Sequence, residues 1–324
     1  MIQIIGVPFD HCGRTHGSRM GPFTVRLEGL KDNLEAIGHE VRDTGDVVAV
    51  DAERIPSLAD RQMSGVPVYS ALRRAVESAL QAGEVPLVIG GDHSMSIGSV
   101  SGALAKYGAG LGVLWIDAHM DLNTPTTSPS GNLHGMPLAA LLRLGGDNDR
   151  TKTPAWGKVL DEVVPADALR QEALAWVGLR DVDDGEVSNL DGLAGPTVIT
   201  MQDVDRMGVT GVASSLVSWI EDAGIKALWV SFDVDSLDPI YAPGTGTAVR
   251  GGLSYREAHF LAEALYDITQ SDGKRCELAG VDLVEVNPMR DNLDETAKVA
   301  VEWAASLFGK AILGRRQAGR TERS

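Results

Sequence analysis

Asp117-Ala118-His119-Met120-Asp121 sets two carboxylates and an imidazole at intervals of two, and Asp233-Val234-Asp235 repeats the spacing with two more carboxylates. In an extended segment, side chains two apart share one face. Carboxylates held side by side repel, and burying them unpaired is costly. A divalent cation removes that cost. With His93, which ends Gly90-Gly91-Asp92-His93, the set comprises two imidazoles and four carboxylates. That is more than one tetrahedral zinc takes, and it suits a two-metal site with bridging carboxylates. Oxygen-rich coordination with some imidazole favours manganese over a thiolate-seeking metal. Two such ions can bring a shared water to a near-neutral pKa and so supply hydroxide. Taken singly, each motif also reads as a solvated loop, a surface pair or a satisfied core histidine. Their joint placement carries the argument. The loop from Asn123 to His134 follows directly and is dense in hydroxyls and amides. It reads either as a holder for a carboxylate or as an ordinary turn-rich loop.

These groups share one kind of position. Leu87-Val88-Ile89 leads into the glycines before Asp92-His93, Leu114-Trp115-Ile116 into Asp117, Trp229-Val230-Ser231-Phe232 into Asp233, and Val281-Asp282-Leu283-Val284 into Glu285. Each follows an apolar run of strand character. In open parallel sheets the ligand crevice lies at the carboxyl ends of the strands. Along the chain, Ile2–Val7, Val85–Ile89, Gly112–Ile116, Leu174–Leu179, Thr197–Met201, Ala227–Phe232 and Glu277–Val286 read as strands. Thr24–Ile37, Val68–Ala82, Met95–Tyr107, His134–Leu144, Thr210–Asp222, Ser254–Thr269 and Asp294–Phe308 read as helices. Continuous apolar strands between helices predict a mainly parallel sheet covered on both faces. Gly145–Pro165 reads as a polar surface excursion. No linker divides the chain, so one catalytic domain is expected over 1–313, with a polar, basic tail at 314–324.

The chain has 324 residues, 44% of them hydrophobic, and a net charge of −16. Such a charge disfavours nucleic acid and anionic membranes, which recruit basic surfaces. A cationic small molecule suits it better. Cys12 and Cys276 are the only cysteines, too few for a disulfide framework or a cysteine zinc cluster. No signal-peptide pattern opens the sequence, and no run approaches the ~20 apolar residues of a membrane span. A cytoplasmic location is therefore expected.

At these motifs the sequence resembles the ureohydrolase superfamily, and within it the arginase family. The resemblance runs from Gly6-Val7-Pro8 to the last helix. It rests on Gly90-Gly91-Asp92-His93-Ser94, on Asp117 to Asp121, on Ser231-Phe232-Asp233-Val234-Asp235-Ser236-Leu237-Asp238-Pro239 and on Glu285-Val286-Asn287-Pro288. It implies a three-layer α-β-α sandwich of the arginase/deacetylase type, and two Mn2+ per chain. His93, Asp117, Asp121 and Asp233 would hold one ion, and Asp117, His119, Asp233 and Asp235 the other. It implies hydrolysis of L-arginine to L-ornithine and urea by a bridging hydroxide that Asp121 orients. His134 would shuttle protons, and Glu285 and Thr247 would lie near the guanidinium. Asn123, Ser130 and Asn132 match a loop that takes the α-carboxylate. Asp183 and Glu186, in Gly178-Leu179-Arg180-Asp181-Val182-Asp183-Asp184-Gly185-Glu186, match acids that receive the α-amino group. Ser128 departs from the threonine of animal members but keeps the hydroxyl. A homotrimer or homohexamer is implied. The alternatives are agmatinase or guanidinobutyrase, for which the carboxylate loop would have no purpose. A single-zinc deacetylase is a further one, against which the six donors argue, and so is a catalytically silent interaction protein, against which the complete set of donors argues.

Overall fold

The computed structural model describes residues 1–49, 55 and 57–313. The tail expected at 314–324 lies outside them. Eight strands form one sheet: β1 (Ile2–Val7), β2 (Val41–Asp46), β3 (Val85–Gly90), β4 (Leu111–Ile116), β5 (Leu174–Leu179), β6 (Thr197–Thr200), β7 (Ala227–Asp233) and β8 (Glu277–Val284). Their spatial order is β2-β1-β3-β8-β7-β4-β5-β6. Every adjacent pair is parallel. The helices are α1 (Gly21–Leu27), α2 (Leu30–Ala36), α3 (Leu58–Gln81), α4 (Ser96–Tyr107), α5 (Pro137–Leu141), α6 (Asp147–Lys152), α7 (Pro154–Lys158), α8 (Asp184–Asp191), α9 (Met201–Asp222), α10 (Tyr255–Thr269) and α11 (Glu295–Leu307). They cover both faces of the sheet and complete the three-layer sandwich.

The sheet is parallel because its inner strands have no polar face to turn toward water. β1, β4, β5 and β7 are buried at every residue. Strands buried on both faces need helices on both sides, and parallel crossovers supply them. The helix starts are chemically marked. Ser254 caps α10 with Glu257 reciprocating, and Thr200 caps α9 with Asp203 reciprocating.

The structure departs from the sequence reading at several points. The helix expected over Thr24–Ile37 is two helices, α1 and α2, separated at Gly29 in a left-handed conformation (φ 79°). The helix expected from Val68 begins ten residues earlier, at Leu58, and runs through Pro67. The proline removes one donor, but Gln62, Val66, Tyr69, Leu72 and Val76 bury the inner face on both sides of it. α9 likewise starts before Thr210, with a kink at Gly208. β2 was not expected at all. It is an edge strand exposed at all but its first residue, so no apolar run marks it.

Gly145–Pro165 is not a surface excursion. It folds into α6, α7 and a π-turn at Val159–Val163, and Trp156, Val159 and Val163 are fully buried. Asp149 is buried and accepts from Thr126, whereas Arg150 and Asp161 face outward and pair at 2.8 Å. Arg73 of α3 donates to the Val163 carbonyl, tying the segment to the body.

Candidate metal centre and substrate cleft

His93 follows β3, Asp117, His119 and Asp121 follow β4, Asp233 ends β7 and Asp235 lies in the turn after it, so all six gather at the carboxyl edge of the sheet. His93 Nδ1 lies 3.0 Å from Asp117 Oδ2, 3.3 Å from Asp121 Oδ2 and 3.2 Å from Asp233 Oδ2. His119 Nδ1 lies 3.3 Å from Asp117 Oδ1 and 3.1 Å from Asp235 Oδ2. Two donor groups result, His93-Asp117-Asp233 and Asp117-His119-Asp235, with Asp117 common to both.

The donor chemistry fits divalent metal. His93 Nε2 lies 2.8 Å from Ser231 Oγ, and the ring stacks on Trp115 with centroids 3.9 Å apart. When Nε2 donates its proton to Ser231, Nδ1 turns a lone pair toward three carboxylates. Among the described residues neither His93 Nδ1 nor Asp117 Oδ2 has a hydrogen-bond partner, although both are buried. A cation between them satisfies both atoms, and a second partner on the far ring nitrogen is the usual support for a ligating imidazole.

The metal-free cluster is electrostatically tense. Burial and the charges of Asp235 and Asp117 push Asp233 well above the ordinary carboxylate range. Burial and Asp117 push Asp121 up to about 6. Burial raises Asp117 too, but the His119 and His93 imidazoles outweigh it and hold that carboxyl low. Asp121 and Glu285 adopt positive φ, 52° and 63°. Non-glycine residues seldom do so, and such conformations gather at functional sites.

The cluster floors a cleft of about 460 Å³. Its walls bring Asn123, Ser130, Asn132, His134, Asp183, Glu186 and Thr247 together, along with Ser128, Asp181 and Arg14. Thr247 donates to Asp235 Oδ2 at 2.9 Å. His134 Nδ1 is 3.3 Å from Glu285 Oε1, which also accepts from the His93 backbone N–H at 3.0 Å. Glu285 thus braces His134 and His93 at once. Asn123 differs from expectation: its amide donates to Asp183 Oδ2 and its carbonyl oxygen accepts from Thr127. It holds Asp183 in place and has little capacity left for a ligand. Asp183 and Glu186 form the reciprocal cap of α8, and Glu186 Oε1 also accepts from the Leu122 backbone. The Asn132 side chain makes no hydrogen bond among the described residues.

Several supports were not singled out from the sequence. Ser231 sits two residues before Asp233 on the same face of β7, so the spacing of two could have flagged it. Asp181 Oδ2 stands 3.7 Å from His119 Nε2. Arg180 donates to the carbonyls of Gly178, Val249, Asp235, Ser236 and Leu237, fixing the segments after β5 and β7 to each other. No sequence pattern announces a guanidinium spent on main-chain oxygens.

Two further buried acids add to the pH response that the raised carboxyls of the cluster give the metal-free protein. Burial and Asp121 raise Glu186 to about 8. Burial raises Asp282 to about 6 despite hydrogen bonds from Trp229, Ser96 and Ser99. Folded protein therefore holds protons that unfolded chain has released between about pH 4 and 8, and stability falls as pH rises through that window. The Tm of chelator-treated protein should drop between pH 5 and 9 by calorimetry. A Tm that climbs over that range would contradict these assignments.

Comparison with known proteins adds to this geometry. A family model described as the arginase family matches residues 1–309. Arginase from Bacillus caldovelox is 37% identical over 316 residues, 96% of this chain and 99% of the relative. Arginase from Staphylococcus aureus strain MRSA252 is 38% identical over 317 residues, 96% of this chain and 98% of the relative. The solved structure of Bacillus caldovelox arginase superposes with a TM-score of 0.84 at 38% identity, covering 96% of this chain and 99% of that one.

Proposed function

The chain belongs to the arginase family and is a ureohydrolase by that membership, and from this premise we propose that it hydrolyses L-arginine to L-ornithine and urea at a site holding two manganese ions. The observation that carries the reading is the pair of donor groups sharing Asp117 at the floor of a cleft whose mouth bears hydroxyls, amides and acids. His93, Asp117, Asp121 and Asp233 would hold one ion, and Asp117, His119, Asp233 and Asp235 the other. When bound, the ions would supply hydroxide at ordinary pH by lowering the pKa of a shared water to about 7.

The protein's own groups do the rest. Glu285 receives the cationic guanidinium, and Thr247 lies beside it on the Asp235 carboxylate. Asp121 orients the attacking oxygen and accepts its proton. Asn132 and Ser130 meet the α-carboxylate, and Asp183 and Glu186 the α-ammonium. His134 delivers the proton that the departing ornithine amine needs. Burial disfavours its charged form, but Glu285 more than compensates and raises its pKa, which favours the protonated ring.

Manganese-loaded protein should release urea and ornithine from arginine and contain about two manganese per chain, as a two-metal site requires. One ion per chain would sink the binuclear reading. His134→Asn should lower kcat by ~10²-fold, the lower range of general acid–base effects, with metal content unchanged. Full turnover in that variant would remove His134 from the mechanism.

A further inference from the structure

We infer that Arg14 is a specificity-determining residue that binds the α-carboxylate of the substrate at the mouth of the cleft. The inference rests on the arginine-hydrolase reading above and names the charged partner that reading lacks.

Arg14 lines the same cleft as the donor cluster and is exposed. Seven carboxylates line this cleft, and Arg14 is the one lysine or arginine among its described lining. Its guanidinium makes no hydrogen bond or ion pair among the described residues. A cation bordered by so many acids and paired with none is held away from them.

The loop that carries it explains how. Cys12 N–H donates to Asp92 Oδ2 at 2.9 Å, and the Cys12 carbonyl accepts from the His134 N–H at 3.2 Å. Asp10 Oδ2 accepts from Gly17 N–H at 2.7 Å, and the His16 carbonyl accepts from Asn287 Nδ2 at 3.1 Å. On the other side, Thr15 Oγ1 lies so near Gly246 that an added Cβ there would stand 2.8 Å from it. Arg14 is thus fixed between the Asn132–His134 turn and the segment that carries Thr247. Its loop follows β1, whereas Asp183 and Glu186 follow β5, and those strands lie in opposite halves of the sheet.

Charge is therefore divided across the mouth, with a guanidinium on the loop after β1 and carboxylates on the segment after β5. An α-amino acid head group carries the complementary pair, an anion and a cation on one carbon. Asn132 and Ser130 offer neutral donors only, and a guanidinium presents two parallel N–H groups to a carboxylate. A substrate lacking the carboxylate meets the same guanidinium as a repulsive charge.

The test is steady-state kinetics of manganese-loaded wild type, Arg14→Gln and Arg14→Lys on arginine and agmatine. Arg14→Gln should raise KM for arginine about tenfold, the size of one partly exposed charge-assisted contact. The loss should fall on KM and leave kcat, as for binding used equally in ground and transition states. Agmatine kcat/KM should not fall. Arg14→Lys should restore part of the arginine KM. The KM of wild type should also rise more steeply with salt than that of Arg14→Gln. An unchanged arginine KM in Arg14→Gln, or an equal loss on both substrates, overturns the role of Arg14 and leaves the arginine-hydrolase reading standing. Wild type that fails to hydrolyse arginine overturns both.

Discussion

Asp233→Asn should reduce urea production by manganese-loaded protein by at least about 10⁴-fold while making the metal-free protein more stable. A binuclear site brings water from a pKa of about 15.7 to about 7, and a 10⁴-fold loss is less than half of that interval. Asp233 faces His93 Nδ1 at 3.2 Å and stands beside Asp117 and Asp235, so it would serve both ions. Without metal the same carboxylate is a buried charge among like charges. Asparagine keeps the Oδ1 that accepts from the Asp235 N–H at 2.7 Å. Its amide also offers a hydrogen to the unpartnered His93 Nδ1. The expected gain is on the order of 1 kcal/mol, or a few degrees in Tm. Calorimetry after chelation and a urea assay after loading check the two halves. A variant that keeps its turnover, or whose metal-free form melts earlier, contradicts the account of this cluster.

Wild type should prefer arginine over agmatine by a factor of ~10⁴ in kcat/KM. The two compounds share the guanidinium and differ by the α-carboxylate, so the donor cluster cannot tell them apart. Polar groups arranged for a carboxylate are left unpaired when it is missing, and such mismatches reach that factor. Asn123 is occupied by Asp183 and Thr127, so on the proposed reading Ser130, Asn132 and Arg14 would meet the carboxylate. On the ammonium side, Asp183→Asn is the informative change. Asp183 Oδ1 caps α8 through the N–H groups of Gly185 and Glu186. Alanine would remove that cap at a cost of about 1 kcal/mol, whereas asparagine caps equally well. Asp183→Asn should therefore weaken arginine use with a smaller loss of Tm than Asp183→Ala, since it keeps the cap and loses only the acceptor for the Asn123 amide. Equal kcat/KM for arginine and agmatine in the wild type would assign the chain a different member activity within its superfamily.

The buried parts of the fold were legible because burial leaves a mark in composition. Ile2–Val7 and Leu174–Leu179 are strands with the ends read from sequence. β2 escaped because an edge strand need not be apolar: Arg42, Asp43 and Asp46 are exposed, and Arg26 bridges both aspartates from α1. The segment around Trp156 was misread because its polar residues outnumber the few that anchor it. In the cleft, the six donors could be read because a spacing of two has a geometric meaning. The left-handed backbone at Asp121 and Glu285, the commitment of Asn123 to Asp183 and the carbonyl web of Arg180 depend on which distant segments meet. Neither spacing nor composition encodes that.

Among the described residues β8 is the last strand, and it lies in the middle of the sheet, between β3 and β7. During synthesis the strands before it can form only two separate half-sheets, β2-β1-β3 and β7-β4-β5-β6. His93 belongs to the first half, and Asp117, His119, Asp121, Asp233 and Asp235 to the second. Until Glu277–Val284 leaves the ribosome, β3 and β7 each present an apolar edge with unpaired backbone groups, the surface that templates aggregation. A chain stalled short of Glu277 therefore exposes two strand edges open to pairing with other chains. The Asp117-His119-Asp235 donor group lies within one half, whereas the His93-Asp117-Asp233 group spans both and waits on translation of the eighth strand to be assembled.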